Sequence, residues 1–343
     1  MTAETIAPPR PRRTSPRDWL DANAPYLIVP VLVLAALLAI GNPATWLTLT
    51  VAGLAMGMMI FVMASGLTLV FGLMDVLNFG HGAFITIGAY VGVSVLLALA
   101  GWTGAPSAWL NWAAMALAMS AAVVVASIAG WFFERVIVMP VYGAHLKQIL
   151  ITMGGLIVAE QIVHAVWGPL PLPLSMPSTF KGVIPLGDFA VERYRVYAAG
   201  IGLVIFAAMV LVLTRTRIGL LIRAGVENGE MVEALGYRIR LLFVAVFVAG
   251  SALAGFGGVM WAVYQEVITP HIGGGVMILV FIVVIIGGLG SIGGCFIGAL
   301  LIGLMMNYTG YLAPRVALVS SILLMVAVLL WRPQGLFPVV KVK

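Results

Sequence analysis

Charge is what this chain lacks most. Only 9% of its 343 residues are Asp, Glu, Lys or Arg, against 62% hydrophobic, and the mean hydropathy is +1.14. A soluble domain of this length needs far more polar surface, so a polytopic membrane protein is implied. Cysteine is nearly absent. The single Cys295 excludes an intrachain disulfide and any multi-cysteine metal site. Its place between glycines in an apolar run suits a small packing residue. Lysine occurs only at Lys147, Lys181, Lys341 and Lys343, never within a G-x-x-x-x-G-K-[ST] run. The chain therefore has no P-loop, and any ATP that drives it must be hydrolysed by another subunit. No H-E-x-x-H or G-x-S-x-G run occurs either. The motifs point away from an enzyme, and no cofactor or metal of its own is expected.

What is present is apolar sequence in span-sized pieces. A membrane span takes about 20 residues. Runs of that kind cover 25–41, 46–70, 81–100, 109–132, 148–166, 196–213, 241–263, 275–288, 294–309 and 315–331, of which the first and eighth are short. The expectation is an all-α protein of about ten transmembrane helices. With the N-terminus inside and strict alternation, the inner segments hold Arg10, Arg12, Arg13, Arg17, Arg135, Lys147, Arg215, Arg217, Arg223, Arg238, Arg240, Arg332, Lys341 and Lys343. The outer ones hold only Lys181, Arg193, Arg195 and Arg315. That asymmetry follows the positive-inside rule, so the net charge of +6 reads as topology and not as nucleic-acid binding. Trp46, Trp102, Trp109, Trp131, Trp167 and Trp331 fall near span ends, as an aromatic belt requires. The Arg-rich start lacks a small-residue cleavage site and reads as a retained cytoplasmic tail over 1–24. The membrane domain fills 25–337, and a short inner tail fills 338–343.

One stretch breaks the apolar pattern. In Gly66-LTLVFGLMDVLNFGHGAFITIGAY-Val91, the residues Gly72, Asp75, Asn78, Phe79, Gly80, His81 and Gly82 interrupt two helical runs. A break must be buried in protein, line a cavity or lie at the surface, because unpaired backbone cannot face lipid. Either it is a gate on a solute path, or it is a tight inner turn between two spans. A second interruption, Ile286-GGLGSIGG-Cys295, contains Gly287, Gly288, Gly290 and Gly294. We expect it to be the inverted counterpart of the first, since paired interruptions in inverted halves point to a central substrate path. Gly290, Gly294 and Gly298 recur every four residues and should form a flat packing stripe.

Three other features carry chemistry. Residues 167–195 hold Pro169, Pro171, Pro173, Pro177 and Pro185, so this outer connection should be stiff and non-helical. It is either a docking surface or a passive connector. Residues 214–240 lie inside with helical periodicity, placing Arg223, Glu227 and Glu230 on one face. A helix resting on the membrane is one reading. The acidic Glu227, Glu230 and Glu233 suit docking into a cytoplasmic protein better than contact with anionic lipid. Glu160 and His164, one turn apart, are the best proton-relay pair inside a span.

The residues 66–91 resemble the signature of the permease subunits of branched-chain amino acid ABC transporters, closest to the shorter of their two paired permeases. The pattern G-L-x-L-x-F-G, then N-F-x-H-G-x-F, then G-A-Y carries the likeness, with support from Glu233-Ala234-Leu235-Gly236, Val248-AGSALAGFGGV-Met260 and Gly287-GLGSIGGCFIGAL-Leu300. It extends over about 46–337. The resemblance implies a bacterial inner-membrane importer with a second permease, two ATPase subunits that bind the ATP, and a periplasmic solute-binding protein. It also implies that Arg223, Glu227, Glu230, Glu233, Ala234, Leu235 and Gly236 belong to the helix that couples to the ATPase, and that transport proceeds by alternating access. Ala83 departs from the family by standing where many members carry a carboxylate. The same permease type serves urea and short amides as well as leucine, isoleucine and valine. A self-sufficient channel or ion-coupled carrier is the reading from another class.

Overall fold

The computed structural model describes residues 16–187, 189–227 and 229–337. The tails 1–15 and 338–343, with Arg10, Arg12, Arg13, Lys341 and Lys343, lie outside the described residues, as does the side chain of Glu227. Helices dominate: α1 (Pro16–Ile40), α2 (Pro43–Met74), α3 (His81–Ala98), the single turn α4 (Ala100–Thr103), α5 (Ala108–Phe133), α6 (His145–Trp167), α7 (Arg193–Arg215), α8 (Arg217–Glu227), α9 (Gly229–Ala234), α10 (Ile239–Gln265), α11 (Ile272–Gly287), α12 (Ile292–Leu312) and α13 (Ala317–Trp331). Among the described residues, nine helical segments are long and apolar enough to cross a membrane, and α11 is a shorter apolar helix. Each of the ten runs read from sequence falls on one of these. The protein is thus an all-α, multi-pass membrane protein. The first run remains a short span, Asn23–Ile40 with 18 residues, although α1 itself extends back to Pro16 with Pro25 and Pro30 within it.

Local signals set several ends. Asn42 caps α2: its Oδ1 accepts the N–H groups of Ala44 (2.9 Å) and Thr45 (3.1 Å), and Pro43 follows at the first helical position, where it needs no donor. Ser291 caps α12 by accepting the Gly294 N–H at 3.1 Å. Tyr26 packs edge-on against Phe337 at 5.0 Å, so the early part of α1 and the last described residue meet at one face. That face carries Arg135, Arg223, Arg238, Arg240 and Arg332, and we call it the basic face. The opposite face carries the proline-rich connection, whose described residues form no helix between α6 and α7. There β1 (Leu172–Pro173), β2 (Val183–Leu186) and β3 (Phe189–Glu192) form, β2 and β3 pairing as an antiparallel hairpin. β1 pairs antiparallel with β4 (Val267–Ile268), which pins this loop to the segment between α10 and α11.

The core is built from α2, α3, α10, α11 and α12, while α1, α6, α7 and α13 are mostly exposed around it. Bare backbones make the core contacts: Gly66 meets Gly250 where α2 crosses α10, Gly88 meets Gly255 where α3 crosses α10, and Gly287 meets Gly294 where α11 crosses α12. Without hydrophobic drive between helices in lipid, such close approach supplies the packing. Cys295 is fully buried in α12, as its glycine setting suggests. Gly294 and Gly298 pack on α11 as expected of the glycine stripe, but Gly290 does not join it. It lies in the turn before α12 with φ +83°.

The inverted repeat also falls elsewhere than expected. The first break follows the second apolar helix and the other follows the eighth, an even offset of six, so the interruptions at 72–82 and 286–295 both lie at the basic face and are not inverted copies. They touch: a Cβ on Gly72 would stand 3.0 Å from the Gly290 Cα. The inverted partner of α2–break–α3 is α10–break–α11. Met63 and Gly66 of α2 lie against Gly257 and Gly250 of α10, so the two helices run antiparallel. Among the described residues, Asp75 (φ 54°) and Glu266 (φ 57°) are the two non-glycine residues in left-handed conformation, and each ends the longer helix of its pair.

Candidate functional site

At the end of α2 the Asp75 N–H still bonds to the Phe71 carbonyl at 2.9 Å, and the Tyr142 hydroxyl donates to the Met74 carbonyl at 3.1 Å. Burial first, and the Asp75 charge second, raise the Tyr142 phenol above its ordinary pKa, so it remains a donor at neutral pH. The chain then turns back into the bundle. The Phe79 N–H donates to Thr152 Oγ1 of α6 at 3.2 Å, and His81 Nε2 pairs with the Met63 carbonyl at 2.9 Å, about three turns before the end of α2. The break is therefore re-entrant. Asp75 is exposed at the face while Asn78, Gly80, His81 and Gly82 are buried inside it. Gly80 is required because the Phe133 ring occupies the space of a Cβ.

Two polar side chains are left incomplete here. Both amide atoms of Asn78 and Nδ1 of His81 are buried with no hydrogen-bond partner among the described residues. Groups of this kind in a well-packed core call for an explanation, since each costs about 1–3 kcal/mol of desolvation. The His81 ring also sits edge-on to Phe84 at 6.2 Å. In this conformation His81 braces α3 against α2.

The second break wraps over the first. Gly288 (φ +97°) and Gly290 (φ +83°) take backbone conformations closed to other residues. The chain's last described residues strap it down, with Leu336 N–H on the Ile286 carbonyl (2.8 Å) and Phe337 N–H on the Gly287 carbonyl (3.0 Å). Between the breaks lies an apolar cavity of about 490 Å³, lined by Leu67, Phe71, Leu77, Phe79, Phe281, Val284, Ile285 and Leu289. Phe79 and Phe281 pack across it, ring centres 4.4 Å apart. The structure thus brings Gly72, Phe79, Gly287, Gly288 and Gly290 together. Gly294 lies one layer behind, against Gly287.

The segment after α7 reaches this site from the basic face. Gly225 of α8 packs against Leu73 in the last turn of α2, with Ile239 and Leu242 beside it. After α9 the chain closes with Tyr237 N–H on the Val232 carbonyl (3.2 Å) and Gly236 N–H on the Glu233 carbonyl (2.8 Å), Gly236 at φ +87°. This is the Schellman arrangement, which needs glycine at that position. It leaves Arg223, Glu230, Glu233, Ala234, Leu235 and Tyr237 exposed, Leu235 by 70%. The exposed apolar Leu235 and Tyr237 thus stand beside the carboxylates of Glu230 and Glu233.

Glu160 does not pair with His164. Its Oε2 lies 2.8 Å from Nδ1 of His271, the residue that precedes α11. His271, Glu266 and the contact of the Gly273 N–H with Thr86 Oγ1 (3.0 Å) escaped the reading of the sequence. The signal was there in the likeness of Asp75-VLNFG-His81 to Glu266-VITP-His271.

Residues 49–329 match the family described as branched-chain amino acid transport system / permease component. The chain is 31% identical over 292 residues to the high-affinity branched-chain amino acid transport system permease protein LivH of Escherichia coli (strain K12), covering 83% of this chain and 92% of that one. It is 28% identical to the corresponding permease protein BraD of Pseudomonas aeruginosa, over 83% and 93% of the two chains. The E. coli permease protein LivM is 25% identical over 83% of this chain and 69% of its own. No solved structure matches.

Proposed function

The chain belongs to the permease component family of branched-chain amino acid transport systems, and on that premise we propose that it carries leucine, isoleucine and valine across a bacterial inner membrane. It is a transport permease subunit. A second permease, related to LivM, completes the path. Two ATPase subunits grip the α8–α9 tip on the basic face, which is cytoplasmic by its arginine excess. A periplasmic solute-binding protein delivers the solute at the proline-rich face.

The observation that carries this reading is the apolar cavity between two glycine breaks. Its aliphatic and aromatic lining suits a branched alkyl side chain and offers little to urea or a short amide. In alternating access the closing ATPases push α8, α8 presses the last turn of α2 through Gly225 and Leu73, and the re-entrant breaks shift to open the cavity to one side. The Asn78 amide and His81 Nδ1 find their partners in the other state. The test is uptake of labelled leucine by membrane vesicles with and without this chain. Isoleucine and valine should compete and ATP should be required. Competition by urea or amides alone would assign another solute, and flux through the isolated chain without ATP would make it a channel or carrier.

A further inference from the structure

We propose that Glu160 is a binding station for the ammonium group of the solute, set between α6 and α11 ahead of the apolar cavity. The proposal rests on the amino-acid importer reading and adds a site to it. Glu160 lies on the membrane-spanning helix α6, about two turns or roughly 10 Å from its outer end. Its side chain is 12% exposed, while that of His271 is 64% exposed. His164 packs edge-on against His271, ring centres 5.3 Å apart. Around them the surface is apolar, with Ile157 and Ile278 exposed. Ionisable side chains at this depth face a bundle interior or a water-filled cavity, not lipid. So this side of α6 and α11 borders water, which a second permease must enclose.

The carboxylate is only half used. Oε2 takes the histidine, while Oε1 rests over Gly274, where even a Cβ would approach to 3.0 Å, and no described residue donates to it. Beyond it Gly275 opens on free space. A carboxylate oxygen over bare backbone, open on one side, accepts a compact cation donor and rejects an anion. The same helix continues through Ile278 to Phe281 and Ile285, which line the apolar cavity. The two places lie about 10 Å apart along α11, so a zwitterion with an alkyl side chain meets them in succession.

The experiment uses the complete transporter in membrane vesicles and the concentration dependence of labelled-leucine uptake. Glu160→Gln keeps the size and the bond to His271 and removes the charge. His271→Gln keeps the charge. The expected result is a loss of at least about tenfold in uptake for Glu160→Gln at low leucine and less than about threefold for His271→Gln, with membrane protein levels and ATP hydrolysis retained. Equal losses in both variants would make the pair a static clamp, and wild-type uptake in Glu160→Gln would remove the station. If Glu160→Gln fails to accumulate, Gly274→Ala decides: it leaves the charge and obstructs Oε1, so uptake falls if the station is real and is unchanged if it is not. Failure of the unaltered transporter to take up leucine would instead overturn the importer reading.

Discussion

Asn78 is the residue whose environment makes least sense in a static protein. A buried amide with no partner costs stability, so replacing it with an apolar side chain of similar size should relieve that cost. Asn78→Leu is expected to melt no lower than the wild type, while uptake falls at least about tenfold, because the conformation that satisfies the amide is lost. Thermal melts and uptake on one preparation check both halves. Asp75 and Glu266 make a second residue-scale case. Each holds a left-handed conformation that β-branched side chains resist, so Asp75→Val and Glu266→Val should each cost about 1–2 kcal/mol, and the glycine variants should not. Denaturation of the purified chain measures this. Asp75, Asn78 and His81 were legible because polar residues stand out in an apolar run. His271 was not, because its meaning depends on Glu160, 111 residues away, and no local pattern encodes that pairing.

Among the elements, spans were the easiest to read, since ten apolar runs, nine of them on helical segments long enough to cross a membrane among the described residues, leave little choice. The proline-rich connection was also legible as non-helical, though not the β1–β4 pairing that ties it to the path. What misled was glycine. The run at 287–294 looked like the mirror of the first break because both are glycine-rich, yet glycine marks close backbone approach wherever it occurs. The repeat is carried by an acidic left-handed cap followed by Val-Leu or Val-Ile, a weaker pattern. The crossings themselves are testable. Gly66→Ala sets a methyl group into the Gly250 backbone and should destabilise the chain by about 1–3 kcal/mol. Gly154→Ala, mid-helix in α6 with open space around it, should not destabilise and should add about 0.5–1 kcal/mol through helix propensity. Chemical denaturation of the two variants in detergent compares them.

For the whole molecule, the account links the α8–α9 tip to Leu73, Leu73 to the re-entrant break, and that break to the second one through Gly72 and Gly290. Leu235→Glu should therefore leave the chain in the membrane but remove the stimulation of ATP hydrolysis by solute, as read in an ATPase assay on the assembled transporter. The central claim is that the two breaks move against each other during transport. Cys295 is fully buried, so cysteines placed at the cavity can be modified without background. The most direct measurement is leucine uptake after bridging Leu77→Cys and Leu289→Cys, both lining the cavity, with a short reducible cross-linker. The account predicts that bridging abolishes uptake and that reduction restores it. Uptake at the unbridged rate with the cross-link intact would contradict it.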